Sequence, residues 1–221
     1  MELDFKKVLL LLGFSGILFG FSLFGHHDKG VSRENILAVS WQKSFCISHK
    51  NKRECRSLDS RDFAWEHFTL HGLWPQPRSK QNCSNHMKRL SNDLWGELKE
   101  KMPGVVSGLA KHEWRKHGSC YGKSEEKYFR DALKLLDSVN SSRIRDFFVA
   151  YSGSTITKQE LNQVIKKSFG NVARKVQMVC KGGYITELRF SIKGDVYHDS
   201  LEKLLKSAKP LRGGCQKGRV K

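Results

Sequence analysis

Apolar and polar positions alternate along NILAVSWQ (35–42), a stretch rich in strand formers, and that period of two predicts a β-strand. HFTLH (67–71) repeats the pattern, with Phe68 and Leu70 on one face and His67, Thr69 and His71 on the other. Helical periods follow at 86–101 and 109–117. A further helix is predicted from SEEKYF, where Ser124 can cap the first turn and Glu125 and Glu126 suit its dipole. SSRIRDFFVAY (141–151) is read as helical, and TKQELNQVIKKSFG carries a capping box, Thr157 with Glu160, before stopping at Gly170. VARKVQMVC and YITELRFSI then alternate as two strands joined through Lys181, Gly182 and Gly183, a hairpin signal. Strands near both ends with helices between predict an α+β fold in which helices pack around an antiparallel sheet. No repeat, low-complexity block or proline-rich linker interrupts the chain, so a single domain over 26–221 is expected, its ordered part beginning near residue 31.

The first residues change the picture of where that domain works. Lys6 and Lys7 precede an apolar run from Val8 to Gly25, after which polarity returns. Residues 1–25 read as an export segment and are set apart from the fold. No A-x-A pattern stands near Phe24, and the run is just long enough to span a bilayer, so a cleaved signal peptide and an uncleaved anchor both stay open. Either way the body of the protein is expected to be periplasmic or secreted. Six cysteines, at 46, 55, 83, 120, 180 and 215, agree: an even number in an exported chain reads as three disulfides, with 15 possible pairings. Zinc sites would need close C-x-x-C pairs, and the sequence has none. Lys and Arg outnumber Asp and Glu 40 to 22, a net charge of +18. Such an excess is self-repulsive unless the working partner is a polyanion or an anionic surface.

Candidate chemistry concentrates in two segments. KHEWRKHGSC (111–120) looks like a zinc-protease helix, but His112 and His117 are five apart rather than four. On an ideal helix they diverge by about 140°, too far to share a tetrahedral ion. The same wheel puts His112, Glu113, Lys116 and His117 on one arc of about 140°. Glu113 and His117 are then an i,i+4 pair, and Lys116 lies i+4 from His112, a cationic cluster suited to an anion. Gly118 is expected to end the helix. A solvated polar face with incidental histidines is the plainer alternative for this segment taken alone.

The second segment is FTLHGLWPQP (68–77), where His71 closes the alternating strand and Gly72 permits backbone geometry that other residues resist. Cys83 lies 12 residues after His71, and Cys120 lies three after His117. A bridge between them would bring the two histidine segments together.

FTLHGLWPQ followed by KHEWRKHGSC, with SWQKSFC (40–46) upstream and a late cysteine pair, resembles the ribonuclease T2 family from about residue 36 to 215. The resemblance implies disulfides Cys46–Cys55, Cys83–Cys120 and Cys180–Cys215, and an α+β fold whose antiparallel sheet carries the cleft. It implies an endoribonuclease acting on single-stranded RNA with little base preference, without metal or other cofactor. The 2′-OH would attack, giving 2′,3′-cyclic phosphates and then 3′-phosphates. His117 is assigned as base and His71 as acid, an assignment that could be reversed. Lys116 and His112 would hold phosphate oxygens, and Glu113 would orient His117 or polarise the phosphate site. Trp74 and Gln42 are candidate substrate contacts, whereas Trp41, Trp65, Trp95 and Trp114 read as core and His67 as a bystander. Many eukaryotic members carry an aromatic residue where Ala110 stands, which bears on base preference. RNA is the expected partner, the chain a monomer with no protein partner evident. A non-catalytic RNA-binding protein of the same fold and a metal-dependent hydrolase are the rival readings, and activity on RNA in excess chelator separates all three.

Overall fold

The structure, a computed structural model, describes residues 30–221, so the export segment and residues 26–29 lie outside it. Strand β1 (Glu34–Trp41) runs straight into helix α1 (Gln42–Ser48), followed by the short α2 (Arg53–Arg56). Strand β2 (Phe68–Pro75) is longer than the alternation at 67–71 indicated. Helices α3 (Asn92–Lys101), α4 (Leu109–Lys116), α5 (Glu125–Asn140) and α6 (Arg143–Ala150) come next, then β3 (Thr155–Thr157) and α7 (Lys158–Phe169). The chain closes with β4 (Val176–Lys181), β5 (Tyr184–Lys193), α8 (Leu201–Ser207) and β6 (Lys217–Arg219).

Several predicted caps form. Ser124 accepts a hydrogen bond from Lys127 N–H at the start of α5. Thr157 and Glu160 complete a capping box on α7. The helix expected over 86–101 starts only at Asn92, because the Ser91 side chain caps it by accepting from Leu94 N–H. Upstream, the Lys88 and Ser91 amides donate to the carboxylates of Glu125 and Glu126, which anchor that irregular stretch to α5.

The sheet runs β2-β1-β5-β6-β3, with β4 also paired to β5. Its pairings are antiparallel, as expected, except for one parallel contact between Tyr184 of β5 and Arg219 of β6, so the sheet is mixed. Leu37, Val39, Trp41, Phe68, Leu70, Leu73, Leu188 and Phe190 are buried and form the sheet's share of the core. Each large apolar side chain buried there contributes about 1.5–3 kcal/mol. Ser40, His71, Glu187 and Arg189 belong to the sheet's other, polar side.

One irregularity in this sheet sets up the site. In the β1–β2 ladder Val39 pairs with Leu70 and the adjacent Ala38 pairs with Gly72. His71 is therefore left over, the extra residue of a β-bulge, a device that re-aims a side chain. Three disulfides brace the fold with Cα separations of 5.2, 5.2 and 5.9 Å: Cys46–Cys55 joins α1 to α2, Cys83–Cys120 ties the segment after β2 to the turn after α4, and Cys180–Cys215 ties β4 to the segment before β6.

Candidate active site

His71 leaves the sheet at the bulge and lies between two buried carboxylates. Its Nδ1 is 2.5 Å from Glu187 Oε2, and its Nε2 is 3.7 Å from Glu113 Oε1. Glu187 pairs across the sheet with Ser40 of the central strand β1. Its second oxygen accepts from Arg189 Nε at 2.5 Å, and the Arg189 guanidinium lies over the Trp74 ring at 5.1 Å.

Glu113 projects from α4 and is 1% exposed. Its Oε2 accepts from the Trp74 indole N–H at 2.8 Å, and its Oε1 is 4.0 Å from His112 Nε2. This approach explains Gly72, which does not have a positive φ. A Cβ there would lie 2.0 Å from Glu113 Oε2 and 2.7 Å from Trp74 Nε1, so the glycine is required by close approach and not by backbone conformation.

Helix α4 ends at Lys116, one residue short of the expected 109–117. His117 is the C-cap, with φ −125° and ψ −54°, and its amide donates to Glu113 O at 2.9 Å. Gly118 sits one residue beyond, where a Cβ would meet Trp114 at 2.7 Å and Tyr128 at 2.8 Å. The helical wheel thus misplaces His117: off the helix, its ring tilts against Trp74 at a centroid distance of 5.4 Å. Glu113 turns to His71, His112 and Trp74, and the expected i,i+4 side-chain pairing of Glu113 with His117 is replaced by these contacts. His71 lies edge-on to the same indole, also at 5.4 Å. The rings of His71 and His117 therefore flank one tryptophan. The Cys83–Cys120 bridge and the bond from Asn82 N–H to Lys116 O tie the two segments together.

The protonation states diverge. Burial pulls the His71 pKa down, but the hydrogen bond and charge of Glu187, with the charge of Glu113, outweigh it and hold it above 6.5. Burial, then the charges of Lys116, His112 and His71, lower the His117 pKa to about 4. His112 is lowered by burial and by Lys116. Burial raises Glu113 above the ordinary carboxylate value. For Glu187 burial acts in the same direction, but the bonds and charges of His71 and Arg189 prevail and lower it.

Two cavities open on these residues. One, of about 460 Å³, is bordered by Glu113, Lys116, His117 and Gln76. The other, of about 390 Å³, is bordered by Gln42, Phe45, His49 and Glu54. His71 and His112 line both. Gln42 is 4% exposed; its Oε1 accepts from Thr69 Oγ1 at 3.3 Å, and its amide nitrogen meets only sulfur among the bonds formed, at 3.6 Å from Cys46 Sγ and 4.0 Å from Cys55 Sγ.

The family model described as ribonuclease T2 family matches residues 34–203. The chain belongs to the ribonuclease T2 family. It is an endoribonuclease of the T2 type. Ribonuclease I of Escherichia coli is 28% identical over 222 residues, covering 82% of this chain and 83% of its own. Among solved structures, the self-incompatibility SF11-RNase of Nicotiana alata superposes with a TM-score of 0.61 at 22% identity, over 83% of this chain and 94% of its own. RNase NT in complex with 5′-AMP gives 0.58 at 19%, over 85% and 97%.

Within this T2 fold, His71, His112, Glu113, Lys116, His117 and Trp74 converge on one cavity. Gln42 reaches the neighbouring one. Glu187 and Arg189 escaped the sequence reading. Their signal was a charged pair in the alternating strand YITELRFSI, on the face opposite Leu188 and Phe190. Trp41 and Trp114 are buried as expected. Trp65 is only half-buried, with Lys43 Nζ 4.9 Å from its ring, and Trp95 is 37% exposed, so neither is a core residue. Trp95 stands on α3, whose buried positions are Leu94 and Leu98.

Proposed function

We propose that this ribonuclease cleaves single-stranded RNA by metal-independent acid–base transphosphorylation, with His117 as base and His71 as acid. RNA carries its own nucleophile, so the protein has to take a proton from the 2′-OH, stabilise charge on the phosphoryl oxygens and protonate the departing 5′ oxygen. The opposed pKa shifts of the two histidines carry this reading: a neutral His117 can accept a proton at a pH where His71 still holds one. Each such transfer contributes about 10²–10⁴-fold.

Glu187 fixes the donor. With Nδ1–H of His71 bonded to that carboxylate, the Nε2–H points toward Glu113 and the cavities, where a leaving oxygen can receive it. Lys116 and His112 border the phosphate region and supply positive charge to the non-bridging oxygens, commonly the largest catalytic contribution. Glu113 holds the Trp74 indole and sets the spacing of His71 and His112. Trp74 thereby acts as the strut between the histidines, and the Gln42 amide is the polar contact offered to a base. The products are 2′,3′-cyclic phosphates and 5′-OH ends, then 3′-phosphates. The +18 charge draws in RNA of any sequence. Three disulfides suit an oxidising compartment, which supports export behind the leader at residues 1–25 and work in the periplasm or outside the cell.

Incubation of the exported protein with RNA in excess EDTA tests this. Full activity with cyclic-phosphate ends is expected, and His71→Ala and His117→Ala should each lose about 10²–10⁴-fold. Binding without cleavage, or activity lost to the chelator, would reject it.

A further inference from the structure

The exposed indole of Trp95 does not stand alone. It borders a cavity of about 580 Å³ between the irregular stretch at 85–92 and the start of α4. Lys88, Arg89 and Lys111 line the same cavity, and among the described residues no carboxylate does. The Asn92 side chain accepts from Arg89 Nη2 at 3.4 Å and holds the guanidinium there. An aromatic face among cations is the arrangement that binds single-stranded nucleic acid, the base stacking while the backbone is neutralised.

This cavity continues the site already described. Gly108 lines both it and the Gln42 cavity, which shares His71 and His112 with the His117 cavity. The three spaces are thus linked in series by shared residues, the second lying between the first and the third. Their order carries a direction, which rests on the acid–base reading above. His117 borders the first space and not the second, so the nucleotide whose 2′-OH loses its proton occupies the first. The leaving nucleoside then faces Gln42 in the second, and the third lies further along the 3′ direction.

We propose that Trp95, with Lys88, Arg89 and Lys111, forms a binding subsite for the nucleotide immediately 3′ of the leaving nucleoside, its base stacked on the indole and its phosphate held by the three cations. The site makes this ribonuclease prefer RNA that extends beyond the cleaved linkage on the 3′ side.

The test compares kcat/KM for a dinucleotide with that for the same dinucleotide extended by one residue at the 3′ or the 5′ end, with the added linkage made uncleavable by a 2′-deoxy sugar. In the wild-type enzyme the 3′ extension should raise kcat/KM about 10-fold or more, the range expected of one stacked base. Trp95→Ala should abolish that gain and leave dinucleotide cleavage unchanged, whereas Trp95→Phe should retain most of it. Lys88→Ala with Lys111→Ala should reduce the gain and flatten its salt dependence. A 3′ extension without benefit, a benefit confined to the 5′ extension, or an equal loss on the dinucleotide in Trp95→Ala would each overturn the subsite. A wild-type enzyme that cleaves neither the dinucleotide nor either extended substrate would instead reject the acid–base reading on which it rests.

Discussion

Glu187 and His71 are 116 residues apart in the chain, yet the carboxylate of one lies 2.5 Å from Nδ1 of the other. The contact exists because β5 and β2 both pair with β1, and because the bulge frees His71 from the ladder. Arg189 keeps the carboxylate charged and in place. Glu187→Gln should therefore keep the fold but lower the His71 pKa. The expected result is a fall in kcat of about 10-fold near neutrality, together with a shift of the alkaline limb of the pH profile to lower pH. Loss of kcat without movement of that limb would reduce Glu187 to a packing residue.

The wild-type pH dependence follows from the same pair. His117, lowered by burial and neighbouring cations to about 4, is neutral above that pH. His71, held above 6.5 by its two carboxylates against the effect of burial, stays protonated until the pH rises past that value. Activity should rise from about pH 4, plateau in mildly acidic solution and fall as His71 loses its proton. Proton NMR of the two imidazoles checks the order of titration directly.

Gly72 offers a steric test. Gly72→Ala places a methyl group 2.0 Å from where Glu113 Oε2 now sits, so Glu113 must give up its bond to Trp74 or move away from His71 and His112. Overpacking of this kind costs about 1–3 kcal/mol. Thermal unfolding should show that loss, and activity should fall further than stability predicts, since three side chains depend on one carboxylate.

Salt supplies a fourth test. If cations capture RNA through its phosphates, log kcat/KM should fall linearly with log salt concentration, by several powers of ten per decade. A dinucleotide with one phosphate should show a much shallower slope, and stopped assays across a salt series would read both.

The histidines were legible in the sequence because each motif is contiguous: HGLW marks His71 where the alternation breaks, although β2 runs on to Pro75, and HEWRKH carries four functional residues in six positions. What escaped was whatever depends on a break in periodicity. The wheel failed at His117, where the helix had already ended, and it credited Glu113 to the wrong histidine. Nothing in FTLHG announces a bulge, since the extra residue is defined only by its partner strand. Trp95 falls within a helical period and read as core, but the helix buries Leu94 and Leu98 and leaves the indole outside. Glu187 and Arg189 were visible as charge in an apolar strand, although only the sheet order says which strand faces them.

The most direct measurement is phosphorus NMR of a ribodinucleotide during cleavage in excess EDTA, alongside the same substrate lacking the attacking 2′-OH. A 2′,3′-cyclic phosphate that forms first and decays to the 3′-phosphate, with the deoxy substrate inert, is the predicted result. A 5′-phosphate product, or cleavage of the deoxy substrate, would contradict the account at its centre.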